Sequence, residues 1–171
     1  LFARIVDGDA SAMETALERA RRSGVHPGEL AVLSAWQAAR DGAPWPEGLP
    51  EGGAGLLLVT LEALLRVQEI DAFVTLLPAV ELVGLSWRER REQLASMYLR
   101  RGYLESAADE WIAVCEQAGP DVAALIGLAQ VAIAREMPDD AVVLAREIQA
   151  IEPGHSGAAR IVERLAPAAG G

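Results

Sequence analysis

The stretch that decides the fold is residues 88–121, which read RERREQLASMYLRRGYLESAADEWIAVCEQAGPD. Residues 122–155 read VAALIGLAQVAIAREMPDDAVVLAREIQAIEPGH and place similar residue types at an offset of 34 residues. Leu94-Ala95 recurs as Leu128-Ala129, Ala107 recurs as Ala141, and Gly119-Pro120 recurs as Pro153-Gly154. A fixed period of this length indicates stacked units, none of which can bury its apolar face alone.

Each of these units has the pattern of two helices joined by a tight turn. In the first repeat, residues 88–121, Gly102 allows the turn, and Tyr98 lies on the helix before it. The apolar residues after the turn follow helical spacing, which predicts one buried face: Leu104, Ala107, Ala108, Trp111, Val114 and Ala118. We expect Ala107 to let two helices approach closely and Trp111 to fill the space between units.

These residues resemble the tetratricopeptide repeat, whose pattern is a leucine–small pair, a tyrosine, A-x3-F and a proline. Leu94-Ala95, Tyr98 and Ala107-x3-Trp111 match the first three features, and Pro120 closes the unit. The second repeat, residues 122–155, departs from the pattern, since Ala132 and Ala145 stand where aromatic residues are usual. A weaker match is Ala72-x3-Leu76, and the segment from Ala3 to Val25 matches more weakly still.

The resemblance implies an all-α fold of antiparallel helix hairpins, stacked as a short right-handed solenoid. We expect N-terminal helices, interpreted as a degenerate repeat, over residues 1–40, a Gly/Pro-rich loop or linker over 41–55 and a degenerate unit over 54–87. Two repeat units, over 88–121 and 122–155, and a capping helix over 156–166 follow. Trp45 lies between two prolines of the loop, where it either pins the loop to the helices or contacts a partner. The alternative to the solenoid is a helical bundle whose matching spacings are coincidental.

Composition excludes several classes of function. The formal net charge of −10 argues against binding nucleic acid, which requires a basic surface. All 15 basic residues are arginine, so lysine-dependent chemistry is absent. The single cysteine, Cys115, fits a reducing, cytoplasmic compartment and, on an apolar helix stripe, is interpreted as a buried thiol. The longest apolar run, from Leu56 to Val67, is too short to span a membrane.

No motif in the sequence points to catalysis or to a cofactor. The two histidines, His26 and His155, have no cysteine or histidine neighbours at metal-ligand spacing. The glycine-rich residues 52–55 do not follow a strand, as a phosphate-binding loop would. We therefore expect a protein that is not an enzyme and holds neither metal nor cofactor.

Five arginines crowd the first helix of the repeat pair: Arg88, Arg90, Arg91, Arg100 and Arg101. One interpretation is a solvated face whose arginines form internal ion pairs with acidic neighbours. The other is a site for a carboxylate-rich segment, since the guanidinium fork matches carboxylate geometry.

Tetratricopeptide proteins bind partners in a concave groove lined by the first helix of each unit, and the resemblance implies a bacterial interaction scaffold that binds a protein or peptide. Mapped onto this chain, the groove residues are Glu89, Glu92, Ser96, Arg100, Ile126, Gln130 and Ile133. The lysines and asparagines of the family's carboxylate clamp are absent, so that clamp is excluded. The apolar Ile126 and Ile133 indicate a helix, an extended peptide or a neighbouring domain as the ligand.

Two other functions stay open. Leu1–Val6 has the pattern of a helix already under way, so we expect the chain to belong to a longer polypeptide. Residues 88–107 are similar to helical tails that follow bacterial family-2 glycosyltransferase domains, which makes an accessory region of a larger enzyme the first alternative. The second is a structural domain whose apolar groove closes a homodimer.

Overall fold

The computed structural model describes residues 10–166, with side chains from Glu14 onward. Over this range the chain forms α-helices and one 3₁₀ helix, and no strand. The helices are α1 (Ala10–Arg22), α2 (Pro27–Arg40), α3 (Ala54–Arg66), α4 (Ile70–Leu76), the 3₁₀ helix (Leu77–Glu81), α5 (Trp87–Arg101), α6 (Leu104–Ala118), α7 (Val122–Ala134), α8 (Pro138–Ile151) and α9 (Ser156–Leu165). The predicted all-α class is therefore confirmed for the described residues.

Helix boundaries follow the breakers in the sequence. Proline disrupts the interior of an α-helix, and α4 ends at Leu76, two residues before Pro78, where a 3₁₀ helix takes over. Aspartate is a favoured N-cap residue, and the Asp121 Oδ1 accepts a hydrogen bond from the Ala124 N–H at 2.9 Å at the start of α7. The expected helical segment at Leu1–Val6 lies outside the described residues.

The chain divides into two compact units, Leu1–Ser86 and Trp87–Gly171. In the first unit, α2 to α4 bury Trp36, Leu57, Leu61 and Leu64 completely. The Gly/Pro-rich loop lies inside this unit, because the Leu49 N–H donates to the Leu82 carbonyl at 3.1 Å. It also packs against α2, where a Cβ at Gly28 would collide with the Glu51 carbonyl. Trp45 is partly exposed.

The turn between the helices of a hairpin occurs three times at an interval of 34 residues. Gln68, Gly102 and Glu136 all have positive φ, at 62°, 81° and 60°. The next residue in each case donates its N–H to a carbonyl five positions back, as Tyr103 does to Tyr98 at 2.9 Å. This is the hydrogen bond of the Schellman motif, which ends a helix on a left-handed residue. Gln68 and Glu136 adopt a conformation that normally favours glycine, and α3 and α7 end two residues before them, at Arg66 and Ala134.

Buried residues recur at the same interval. Residues 61, 95 and 129 are fully buried, as are 107 and 141, and residues 73, 80, 114 and 148 are at most 5% exposed. Trp111, expected to be buried, is 7% exposed. At the corresponding position of the next hairpin Ala145 is completely buried. Ala107 has no exposed surface, so a larger side chain at this position would have to displace the residues packed around it.

Candidate functional site

An open groove of about 640 Å³ lies between α7 and α9 in the second unit. Three of the predicted groove residues line it from α7, namely Ile126, Gln130 and Ile133. Their spacing of four and three residues places them on one face of the helix. The opposite wall comes from the start and the outer face of α9.

The floor of the groove is continuous with the core of the second unit. Ile126 and Ile161 pack against a buried cluster formed by Leu125, Ala145, Ile148 and Ala158. Both isoleucines are only partly buried, so part of each side chain faces the groove. The floor is therefore apolar and held in place by close packing, which suits it to a preformed binding surface.

The α9 wall is positioned by a histidine cap. The His155 Nδ1 accepts a hydrogen bond from the Ala158 N–H at 3.1 Å, which begins α9. His155 stands 34 residues after Asp121, which caps α7 in the same way. Because Nδ1 is the acceptor, the ring proton of the neutral imidazole lies on Nε2. His155 lines the groove, so its side chain both caps the helix and contributes to the wall.

Three charged side chains line the groove, all from α9. Arg160 and Arg164 are one helical turn apart, and Glu163 lies beside them. Both arginines are exposed, and no carboxylate within residues 14–166 is within ion-pair distance of either guanidinium. The wall is thus locally basic, while the second unit as a whole carries nine arginines and thirteen acidic residues.

The four predicted groove residues on α5 do not line this cavity: Glu89, Glu92, Ser96 and Arg100. Glu92 accepts a hydrogen bond from the Arg88 Nε at 2.6 Å, and the Arg88 Nη2 lies 2.6 Å from the Asp121 Oδ2. The pKa of Arg88 is therefore raised, first by the Glu92 hydrogen bond and then by the charge of Asp121. Asp121 in this way caps α7 and ties it to α5.

Another arginine of α5 is also engaged within the unit. Arg91 donates to Glu110 at 2.7 Å and stacks over the Trp87 ring at 5.6 Å. For Arg88 and Arg91 the expectation of internal ion pairs is confirmed. Two of the five α5 arginines considered as a carboxylate site, Arg88 and Arg91, therefore already pair with carboxylates of this chain.

Cys115 is partly buried rather than fully buried as expected. Burial raises the pKa of its thiol, which keeps it protonated and lowers its reactivity as a nucleophile. Residues 10–166 contain no group of three or more metal-ligating side chains. No helix in that range is long and apolar enough to cross a bilayer.

A second, smaller cavity of about 370 Å³ lies among α6, α7 and α8. It is bordered by Ile112, Met137 and Val143, each between 43% and 57% exposed. One arginine and one aspartate, Arg135 and Asp140, line it with opposite charges. It offers an apolar contact without a charge preference.

The sequence did not identify the α9 wall. Residues 156–166 were expected only to cover the last repeat, and Ala158 does belong to the core cluster, with Ile161 and Val162 packed against it. The overlooked signal was the arginine pair at 160 and 164, which lies on one helical face.

Comparison with known proteins adds no relative, because no protein-family model, curated protein or solved structure matches this chain.

Proposed function

We propose that this chain is a non-enzymatic interaction module of the tetratricopeptide type, which binds a protein segment in the groove between α7 and α9. The observation that carries the proposal is the groove itself, with three isoleucines on its walls and floor: Ile126, Ile133 and Ile161. Its volume of about 640 Å³ is in the range of ligand clefts, and its apolar floor supplies the hydrophobic contact that peptide recognition requires.

Recurring turn conformations and recurring helix caps support the repeat interpretation. The left-handed residue recurs at positions 68, 102 and 136, and the capping side chain recurs at 121 and 155. In a tetratricopeptide arrangement α7 and α9 are both first helices of their units, and such helices line the binding face of that family. The function proposed here therefore follows the family's mode of binding, within a cytoplasmic scaffold.

Selection of random peptides displayed on phage against the immobilised 171-residue chain tests this proposal. We expect peptides to be enriched, and their binding to be lost in Gln130→Trp, whose indole would occupy the groove from an exposed position on α7. Gln117→Trp is the matched control, since Gln117 is exposed on α6 and does not line the groove. Circular dichroism of both variants checks that the helices are retained.

The proposal fails if no peptide is enriched, or if the enriched peptides bind Gln130→Trp as well as the unaltered chain. Loss of peptide binding in Val143→Asp would instead assign binding to the smaller cavity. Light scattering over a dilution series distinguishes a homodimer. A dimer that Gln130→Trp dissociates would make the groove a self-association surface and contradict binding of a separate partner.

A further inference from the structure

The charges around the groove run opposite to those of the unit that contains it. In the second unit, acidic residues outnumber arginines by thirteen to nine, yet the groove is lined by Arg160 and Arg164 against Glu163 alone. All three belong to one helix and stand next to the apolar floor formed by Ile126 and Ile161. A ligand in this groove therefore meets aliphatic side chains and two guanidinium groups together.

The two guanidinium groups have unused capacity for hydrogen bonds to an anion. Neither Arg160 nor Arg164 is within ion-pair distance of a carboxylate in the described part of the chain. This distinguishes them from Arg88 and Arg91, which are committed to Glu92, Asp121 and Glu110. A guanidinium presents two parallel N–H groups that match the two oxygens of a carboxylate.

We propose that the groove between α7 and α9 is selective for acidic peptide segments that carry aliphatic side chains. The inference rests on the proposed function of the groove and adds the chemistry of the partner. The aliphatic side chains pack on Ile126, Ile133 and Ile161, and glutamate or aspartate side chains of the segment pair with Arg160 and Arg164. Charge complementarity at such a rim sets partner choice and the rate of association.

The test uses the peptides selected by the unaltered 171-residue chain, labelled with fluorescein and titrated by fluorescence anisotropy. We expect the selected peptides to be enriched in aspartate, glutamate and aliphatic residues. In Arg160→Gln/Arg164→Gln their affinity should fall about twofold to thirtyfold, as expected for the loss of two exposed ion pairs. Arg160→Lys/Arg164→Lys should restore part of the affinity, because it returns the charges without the fork.

Two further variants separate a local effect from the change in net charge. Arg146→Gln removes a positive charge from an exposed position on α8 outside the groove and should leave the affinity unchanged. Glu163→Gln removes the acidic side chain from the wall and should strengthen binding severalfold. Raising the salt concentration from about 0.1 M to about 1 M should weaken binding, since the screening length falls from about 10 Å to about 3 Å.

Failure of this inference is distinguishable from failure of the proposed function. Selected peptides without an acidic bias, lost in Gln130→Trp but unaffected by Arg160→Gln/Arg164→Gln, would overturn the acidic preference and leave the groove as the binding site. Peptides that bind Gln130→Trp normally would overturn both. An equal loss of affinity in Arg146→Gln and in the double variant would also contradict the inference, because it would assign the effect to net charge alone.

Discussion

The indole ring of Trp111 on α6 lies directly against the backbone of Gly127 on α7. A Cβ added at Gly127 would collide with the Cε2 and Nε1 atoms of the ring. Trp111 is 7% exposed, so the contact is closed to solvent on nearly all sides. The junction between the two hairpins thus joins a tryptophan side chain to a position with no side chain.

Substitution of Trp111 tests how much this contact contributes to stability. Trp111→Ala should lower the free energy of unfolding by ~3–5 kcal/mol through lost burial and the cavity left behind. Trp111→Phe should cost less than ~1.5 kcal/mol, because it keeps a ring and removes a buried Nε1–H that has no hydrogen-bond partner within the described residues. Urea unfolding measures both. A loss below ~1 kcal/mol for Trp111→Ala would mean that the ring is exposed.

Gly127→Ala should destabilise the unaltered chain and not the Trp111→Ala chain. The added methyl group overpacks the ring contact at a cost of ~1–3 kcal/mol, which outweighs the helix propensity gained from alanine. With the ring removed, the same substitution should be neutral or stabilising by up to ~1 kcal/mol. A double-mutant cycle in urea measures the coupling. Additive effects would show that the two residues do not touch.

Ala107→Leu probes the expected close approach of α6 to a neighbouring helix. Ala107 is completely buried, so the larger side chain should cost ~1–3 kcal/mol by overpacking. Ala118→Leu is the matched control, because Ala118 lies at the exposed end of the same helix and should change stability by less than ~0.5 kcal/mol. Thermal and urea unfolding give both values. Equal effects at the two positions would contradict the close crossing.

Tyr98 should make stability depend on pH in the alkaline range. Burial raises the pKa of Tyr98 from 10.0 to about 12, with a smaller contribution from the charge of Glu110. The folded state therefore favours the neutral phenol, so this contribution is fully present below pH 10 and is lost as the pH rises through 12. In Tyr103→Phe, which leaves Tyr98 as the only tyrosine, ultraviolet absorbance should show ionisation with a midpoint near 12.

The same measurement has a clear contrary result. Ionisation of Tyr98 at its ordinary pKa, with the helical circular dichroism intact, would show that the ring is exposed to water. Tyr98→Phe should remove its share of the alkaline loss of stability, because phenylalanine keeps the ring and has no proton to lose. An unchanged pH profile in Tyr98→Phe would assign the loss to other groups.

The helices themselves were predictable from the sequence, since breakers and caps stand at their ends. α4 ends two residues before Pro78, Asp121 caps α7 and Pro138 begins α8, as the chemistry of proline and aspartate favours. The burial of Ala107 and Trp111 followed from their spacing on one helical face. These features depend on local chemistry and on periodicity, both of which a single sequence displays.

Other features depend on how helices meet, which the spacing of residues does not reveal. Gln68 and Glu136 adopt a left-handed conformation that their side chains do not favour. Each occupies the turn position of its hairpin, at which Gly102 adopts the same conformation readily. In the sequence, Gly127 is a small residue in an apolar helix, and its contact with the Trp111 ring is visible only in the structure. Arg160 and Arg164 belong to a groove only once α9 lies beside α7.

The most direct test of the central claim is the position of a bound peptide on the 171-residue chain. Spectra of the isoleucine δ1 methyl groups, recorded while a selected peptide is added, report on both cavities at once. We expect the signals of Ile126, Ile133 and Ile161, which line the groove, to shift, and that of Ile112, which borders the smaller cavity, to stay in place. Shifts at Ile112 with the three groove signals unmoved would contradict binding between α7 and α9.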